Sequence, residues 1–393
     1  MRAILLVAGA VAVVAAGGVG LLLWLSQPDE PTAFYAPPDD IPAEPGTLIR
    51  QEPYTRAVPE GAEAWLILYS STSPDGEPVA VSGVVVAPAD PPAGPRPVIA
   101  WAHGTTGVAT GCAPSLSDDP LFELPALKRA PGRGWMVVAT DYPGLGTPGQ
   151  HPYVDGVSEG RSVLDAVRAA SQIEDGPQLS SQVAVWGMSQ SGHAALFASQ
   201  LAPAYAPELD IVGVAPGEPA TDLATLLGRA SGQGGKVLTA EAVYAWSRVY
   251  PELSFDEAIV DRAELLAREV ARRCLVGPSR FLTVLGTTLL PERLLAIDLV
   301  ADPRWAARFA QNTPSDPIAA PLFVTQGGVD QIVLPDVTLD HVRGRCARGE
   351  RVELRVYPEE GHISLPRRAG PDILEWTAAR FADEPVPAGC VGI

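Results

Sequence analysis

Short apolar runs recur along the chain, separated by stretches of helical periodicity. Residues 65–70, 80–86, 97–102, 135–140, 182–186, 210–215, 321–326 and 352–356 read as strands, rich in Val, Ile and aromatic side chains. Residues 161–171 read as an amphipathic helix, with Val163, Leu164, Val167 and Ala170 on one face. Strands alternating with helices predict an α/β fold with a mostly parallel central sheet flanked by helices on both sides. In such sheets ligands bind in the crevice beyond the C-terminal ends of the strands.

One stretch breaks the alternation. From 218 to 318 the pattern is helical, with helices expected at 240–250, 255–274 and 279–290. It divides the core into 46–217 and 319–393 and reads as an inserted helical cap, with 27–45 as a linker before it all. A cap would shape a pocket and could act as a lid. Its aromatic residues Tyr244, Trp246, Tyr250, Phe281 and Trp305 are expected in the cap's own core.

The chemistry enters at Ser189. The apolar run 183–186 ends in Gly187-Met188-Ser189-Gln190-Ser191-Gly192, and an alanine-rich helical stretch follows. That is the strand–turn–helix setting of a nucleophile elbow, which exposes a hydroxyl at a strand end. The G-x-S-x-G pattern would put glycine at 191, where this chain has Ser191 and then Gly192.

A serine hydroxyl needs a base, and the base needs an acid to orient it. On an elbow scaffold these follow in the order serine, acid, histidine. His362 lies on a loop past the strand at 352–356, and Asp330 follows the strand at 321–326 and its glycine turn. His341 reads instead as a surface histidine on a helix, and Asp336 and Asp340 as weaker rivals beside it. The oxyanion hole needs two backbone donors. The residue after the nucleophile, Gln190, supplies one; the loop His103-Gly104-Thr105-Thr106-Gly107 supplies the other, from Thr105 or, alternatively, Gly104. His103 reads as a structural loop residue. The string Gly144-Leu145-Gly146-Thr147-Pro148-Gly149 fits G-x-G-x-x-G, but no helix opens directly behind it, so a dinucleotide site is rejected.

These pieces, in order, resemble the secretory lipase family of α/β-hydrolases, which includes fungal lipase A-type enzymes. The matching strings are Phe34-Tyr35-x-Pro37-Pro38, Pro45-Gly46-Thr47-Leu48-Ile49-Arg50, Ala102-His103-Gly104-Thr105-Thr106-Gly107, Cys112-Ala113-Pro114-Ser115, Asp141-Tyr142-Pro143-Gly144-Leu145-Gly146, Gly187-x-Ser189-Gln190, Gly327-x-x-Asp330 and Gly361-His362. The resemblance implies an α/β-hydrolase fold with a cap. It implies an ester hydrolase with Ser189 as nucleophile, Asp330 as acid and His362 as base.

Composition narrows the partners. A net charge of −18 over 393 residues argues against nucleic acid and against electrostatic docking on anionic lipid. Residues 3–25 are uncharged and apolar behind Arg2, long enough for a helix to cross the ~30 Å hydrocarbon core. They read as a signal peptide or an uncleaved membrane anchor within 1–26, and either one exports the rest. Export makes the cysteines meaningful. Cys112, Cys274, Cys346 and Cys390 allow three pairings, of which the resemblance favours Cys112–Cys274 with Cys346–Cys390. No zinc spacing and no cofactor motif is expected. The expectation is an exported carboxylic ester hydrolase acting on small-molecule or lipid esters, of unknown oligomeric state. Its rivals are an acyltransferase using the same three residues and a non-catalytic binding module on the same fold.

Overall fold

The computed structural model describes residues 27–91 and 93–392, so the apolar segment 3–25 lies outside the described residues. Among the described residues no helix is long and apolar enough to cross a membrane. Ten strands form one sheet: β1 (Leu48–Pro53), β2 (Ala62–Thr72), β3 (Pro78–Pro88), β4 (Arg96–Trp101), β5 (Met136–Thr140), β6 (Leu179–Met188), β7 (Asp210–Gly217), β8 (Leu322–Gly327), β9 (Val352–Tyr357) and β10 (Cys390–Val391). Their spatial order is β1-β2-β3-β5-β4-β6-β7-β8-β9-β10. β1, β2, β3 and β5 pair antiparallel, and every pair from β5 to β10 is parallel.

β4 to β8 carry continuous apolar runs because both their faces are covered, whereas β9 interposes Glu353 and Arg355 and leaves Arg355 and Val356 exposed. Side chains alternate between two cores, as the strand period requires. Leu66, Leu68, Ile99, Trp101, Val137, Ala184 and Trp186 point to one face. Ile67, Tyr69, Val98, Ala100, Val138, Val183 and Val185 point to the other. The second face is covered by α1 (Gly156–Ala170) and α2 (Gln190–Tyr205), through Val163, Val167, Ala194 and Ala198.

Between β7 and β8 the chain is helical, in α3 (Leu223–Gly228), α4 (Gly232–Val249), α5 (Phe255–Ala258), α6 (Asp261–Ala271), α7 (Arg280–Leu289) and α8 (Pro303–Gln311). It builds a third core around Trp246, Trp305 and Phe309, in which the first two rings stack with centroids 6.0 Å apart. Tyr244 and Tyr250 are buried there too, but Phe281 is not: it stands on the outer face of α7, 62% exposed. The stretch expected as one helix at 255–274 is two. Ile259 bridges Leu295, and Val260 N–H is drawn to Leu294 O, so the helix is interrupted there.

After β8 come α9 (Pro335–Ala347) and α10 (Leu365–Phe381). α10 covers the first face with Leu365, Ala369, Ile373 and Leu374. Its Thr377 hydroxyl accepts the Trp186 indole N–H at 2.9 Å. Two disulfides, the pairs implied by the resemblance, join Cys112 to Cys274 and Cys346 to Cys390. The first ties the loop after β4 to the end of α6. The second holds the two-residue β10 beside β9. His341 is not a surface residue: it is half-buried on α9 and its Nε2 accepts from Arg345 Nε at 2.8 Å. Burial and the neighbouring arginines push its pKa down to about 3.

Candidate active site

The chain turns from β6 into α2 through Ser189 at φ 61°, ψ −121°, a conformation that costs a non-glycine residue of order 1 kcal/mol or more. The neighbours hold it there. A Cβ at Gly187 would collide with the Ser191 carbonyl oxygen, and one at Gly192 would lie 2.9 Å from Gly217 O. The turn's need for glycine therefore falls on 187 and 192, and residue 191 carries a side chain without penalty. The buried Ser191 hydroxyl closes the turn: it accepts from Met188 N–H at 2.6 Å and donates to Met188 O at 2.7 Å.

His362 and Asp330 meet the serine from the ends of β9 and β8. His362 Nε2 lies 2.9 Å from Ser189 Oγ, and Nδ1 lies 2.8 Å from Asp330 Oδ2. The Asp330 Oδ1 accepts N–H bonds from Ile332 at 2.7 Å and Val333 at 3.0 Å. Burial alone would push this carboxyl up. The hydrogen bond and charge of His362, with the Ile332 N–H, outweigh that and hold it below the ordinary value. The rivals stand elsewhere: Asp336 pairs with Arg229, and Asp340 lies 3.2 Å from Arg343.

The loop after β4 faces the same point. Gly104 N–H is committed to Glu123 Oε2 at 2.7 Å. Thr105 N–H has no acceptor among the described residues, while its hydroxyl lies 3.0 Å from Tyr153 Oη. Gln190 N–H opens α2, where helix geometry leaves donors unpaired. Its side-chain amide is anchored behind the site, donating to the buried Glu159 Oε1 at 2.6 Å. His103 spans Gly104 O at 2.7 Å and Asp141 O at 3.0 Å, and so braces this loop.

Three carboxyls here were not singled out from the sequence: Glu123, Glu159 and Glu218. Glu218 follows the last residue of β7, and its Oε1 is 3.6 Å from His362 Nδ1. The usable signal was an acid placed immediately after a strand, between the serine's strand and the aspartate's strand in the sheet.

Ser189 opens onto a narrow, mainly apolar cleft. Leu223, Leu226 and Leu227 of α3, Leu238 and Ala242 of α4, and Ile332 and Val333 line it, with Tyr153 and Gln190 at the serine end. The helical stretch between β7 and β8 thus forms one wall and the strand-end loops the other.

Comparison with known proteins agrees with this architecture. The family model described as secretory lipase matches residues 121–389, more than half of the chain. "Lipase A" of Moesziomyces aphidis is 29% identical over 368 residues, covering 86% of this chain and 76% of that one. "Probable inactive lipase MT1628" of Mycobacterium tuberculosis (strain CDC 1551 / Oshkosh) is 27% identical, covering 91% of this chain and 83% of its own. The crystal structure of Candida antarctica lipase A superposes with a TM-score of 0.77 at 21% identity, over 92% of this chain and 89% of that one. The fold is that of an α/β-hydrolase, and the chain belongs to the secretory lipase family, a lipase or esterase type of hydrolase.

Proposed function

We propose that the protein is an exported serine carboxylic ester hydrolase that works through an acyl-enzyme on Ser189. The observation that carries this reading is the unbroken relay from Asp330 through His362 to Ser189 at the mouth of an apolar cleft. Nδ1–H of His362 is held by Asp330, which leaves Nε2 to accept the serine proton. Ser189 Oγ attacks the ester carbonyl, and the oxyanion is met by Gln190 N–H and Thr105 N–H. His362 then returns the proton to the leaving alcohol. Water enters by the same route and frees the acid. The acyl group lies along the leucine-lined cleft, and residues 218–318 act as its cap. Two disulfides and the family's secretory character support export.

The relative named as an inactive lipase favours one second reading, a binding module on the same fold. A fluorophosphonate probe separates the two. The disulfide-intact protein should gain one phosphonyl adduct, located at Ser189 by peptide mass, and Ser189→Ala should gain none. An unlabelled, folded wild type with no ester hydrolysis would leave the binding module standing.

A further inference from the structure

We propose that Glu218 is a positioning residue of the catalytic centre, bracing the Asp330 carboxylate and standing as a reserve partner for the His362 Nδ1–H. The inference deepens the reading of Ser189, Asp330 and His362 as a triad and rests on it.

The placement comes from the sheet. β7 lies between β6, which ends at the serine, and β8, which leads to Asp330. A side chain on the first residue past β7 is therefore delivered between the two. Glu218 is that residue, and it is 1% exposed. One ligand atom from each of Glu218, Asp330 and His362 falls within 4.8 Å of the others. Glu218 Oε1 is 3.6 Å from the same Nδ1 that Asp330 Oδ2 approaches to 2.8 Å, and a carboxyl oxygen of each lies within 4.8 Å of the other.

The backbone supplies an independent sign. Glu218 sits at φ 36°, in the region that favours glycine. Its N–H is fixed to Thr325 O at 2.6 Å. A strained residue in a site with a buried side chain that no core needs is the kind of outlier from which function is inferred. Its other carboxyl oxygen, Oε2, has no partner among the described residues.

Two ionised carboxylates this close in a sheltered site repel, so one keeps a proton. Burial first, then the charge of Asp330 and the hydrogen bond with it, push the Glu218 carboxyl well above its ordinary value. Glu218 is therefore the neutral partner, and its O–H donates to Asp330. If Asp330 is removed, that repulsion ends and only burial still opposes ionisation; pairing with the His362 Nδ1–H offsets it, so Glu218 gives its proton to solvent and becomes the carboxylate that receives Nδ1–H. The pair carries one negative charge in both cases.

The test is kcat/KM on a short-chain p-nitrophenyl ester, using the whole disulfide-intact chain. Asp330→Ala vacates the place Glu218 would fill, and it should keep activity within about 100-fold of wild type. Asp330→Asn should be the worse variant, down about 10⁴-fold: its amide oxygen takes the Ile332 and Val333 N–H groups and its NH₂ faces Nδ1, which enforces the wrong tautomer. Asp330→Ala/Glu218→Gln should fall to the level of Ser189→Ala, although Glu218→Gln alone, still able to donate to Asp330, loses less than about 5-fold. Equal factors for Glu218→Gln in both backgrounds, or Asp330→Ala no more active than Asp330→Asn, would overturn the inference.

Should Asp330→Ala not fold, Glu218→Ala decides. It should lower kcat about 10-fold with KM unchanged, and Glu218→Gln should restore it; wild-type kcat in Glu218→Ala would sink the proposal. Ser189→Ala marks the difference between failures. Full activity there would remove the triad reading itself, whereas a dead Ser189→Ala with additive Glu218 effects would remove only the role of Glu218.

Discussion

In the sheet, consecutive residues of one strand serve two different cores, and the strand ends deliver Ser189, Asp330 and His362 to one point. In the helical stretch between β7 and β8, the side chains gather around a single core of their own at Trp246, Trp305 and Phe309, and the inner edges of α3 and α4 form a cleft wall. The first region is constrained through its central strands by two packed faces. The second is joined to it through loops and helix ends, among them the Cys112–Cys274 bridge, the Trp246 indole N–H donating to Tyr153 O and the Gly156 N–H donating to Asn312 Oδ1. The contrast divides the work. On the proposed reading, the geometry that must be held within a fraction of an ångström sits on the sheet, and the cleft surface that would select an acyl group sits on the helices.

That division can be broken from either side. The largest effect is expected at the sheet. Ser189→Ala should lower kcat by about 10⁴-fold or more and leave the melting temperature within a degree or two; ester hydrolysis and calorimetry read both. Opening the link between the regions comes next. Replacing Cys112 and Cys274 by serine removes a cross-link across 162 residues, worth about 5 kcal/mol in the chain-entropy account. The helical stretch should then become the first part to lose hydrogen-exchange protection, with the sheet still protected. Uniform loss across both regions would erase the contrast. Gly187→Ala should cost about 3 kcal/mol and most of the activity together, because the new methyl meets the Ser191 carbonyl.

Smaller effects sharpen the picture. Leu227→Trp fills the helical wall of the cleft. It should reduce kcat/KM on long-chain esters by about 10–100-fold while acetate and butyrate esters keep theirs. The smallest effect concerns pH. Burial pushes the Glu123 carboxyl up to about 7, against the bond it accepts from Gly104. The folded state therefore holds this proton more tightly than the unfolded chain does. Stability from this group is full below about pH 4.5 and declines as pH rises through 7. Glu123→Gln should accordingly match wild type in urea titrations at pH 5 and exceed it by about 1–2 kcal/mol at pH 8.

The two regions also differ in how far the sequence exposes them. All eight strands expected from the sequence are present; in β4 to β8 burial on both faces writes itself into the run, while β9 shows through alternation of Val352, Leu354 and Val356 with charged residues. β1 and β10 are not of that kind. β1 is an edge strand of half-buried and exposed residues, with no alternation to detect. β10 is two residues long and is held in the sheet beside a disulfide. In the helical stretch the break at Ile259 and Val260 depends on Leu294 and Leu295, a tertiary partner that periodicity over 255–274 cannot contain. At the site, Ser189, His362 and Asp330 stand out through their local settings. Glu218 did not, since its meaning depends on which strands flank β7. Likewise, what occupies the Gly104 N–H, and so leaves Thr105 as the candidate donor, is Glu123, which reaches the loop from 19 residues away.

The most direct test of the account is a chain-length profile with p-nitrophenyl esters from C2 to C16, run on wild type, Leu227→Trp and Ser189→Ala. Ser189→Ala should be inactive at every length, whereas Leu227→Trp should keep the wild-type rate on C2 and lose it progressively on longer chains. A Ser189→Ala protein that still hydrolyses esters, or a Leu227→Trp profile that falls equally at all lengths, would contradict the separation of chemistry on the sheet from selection on the helices.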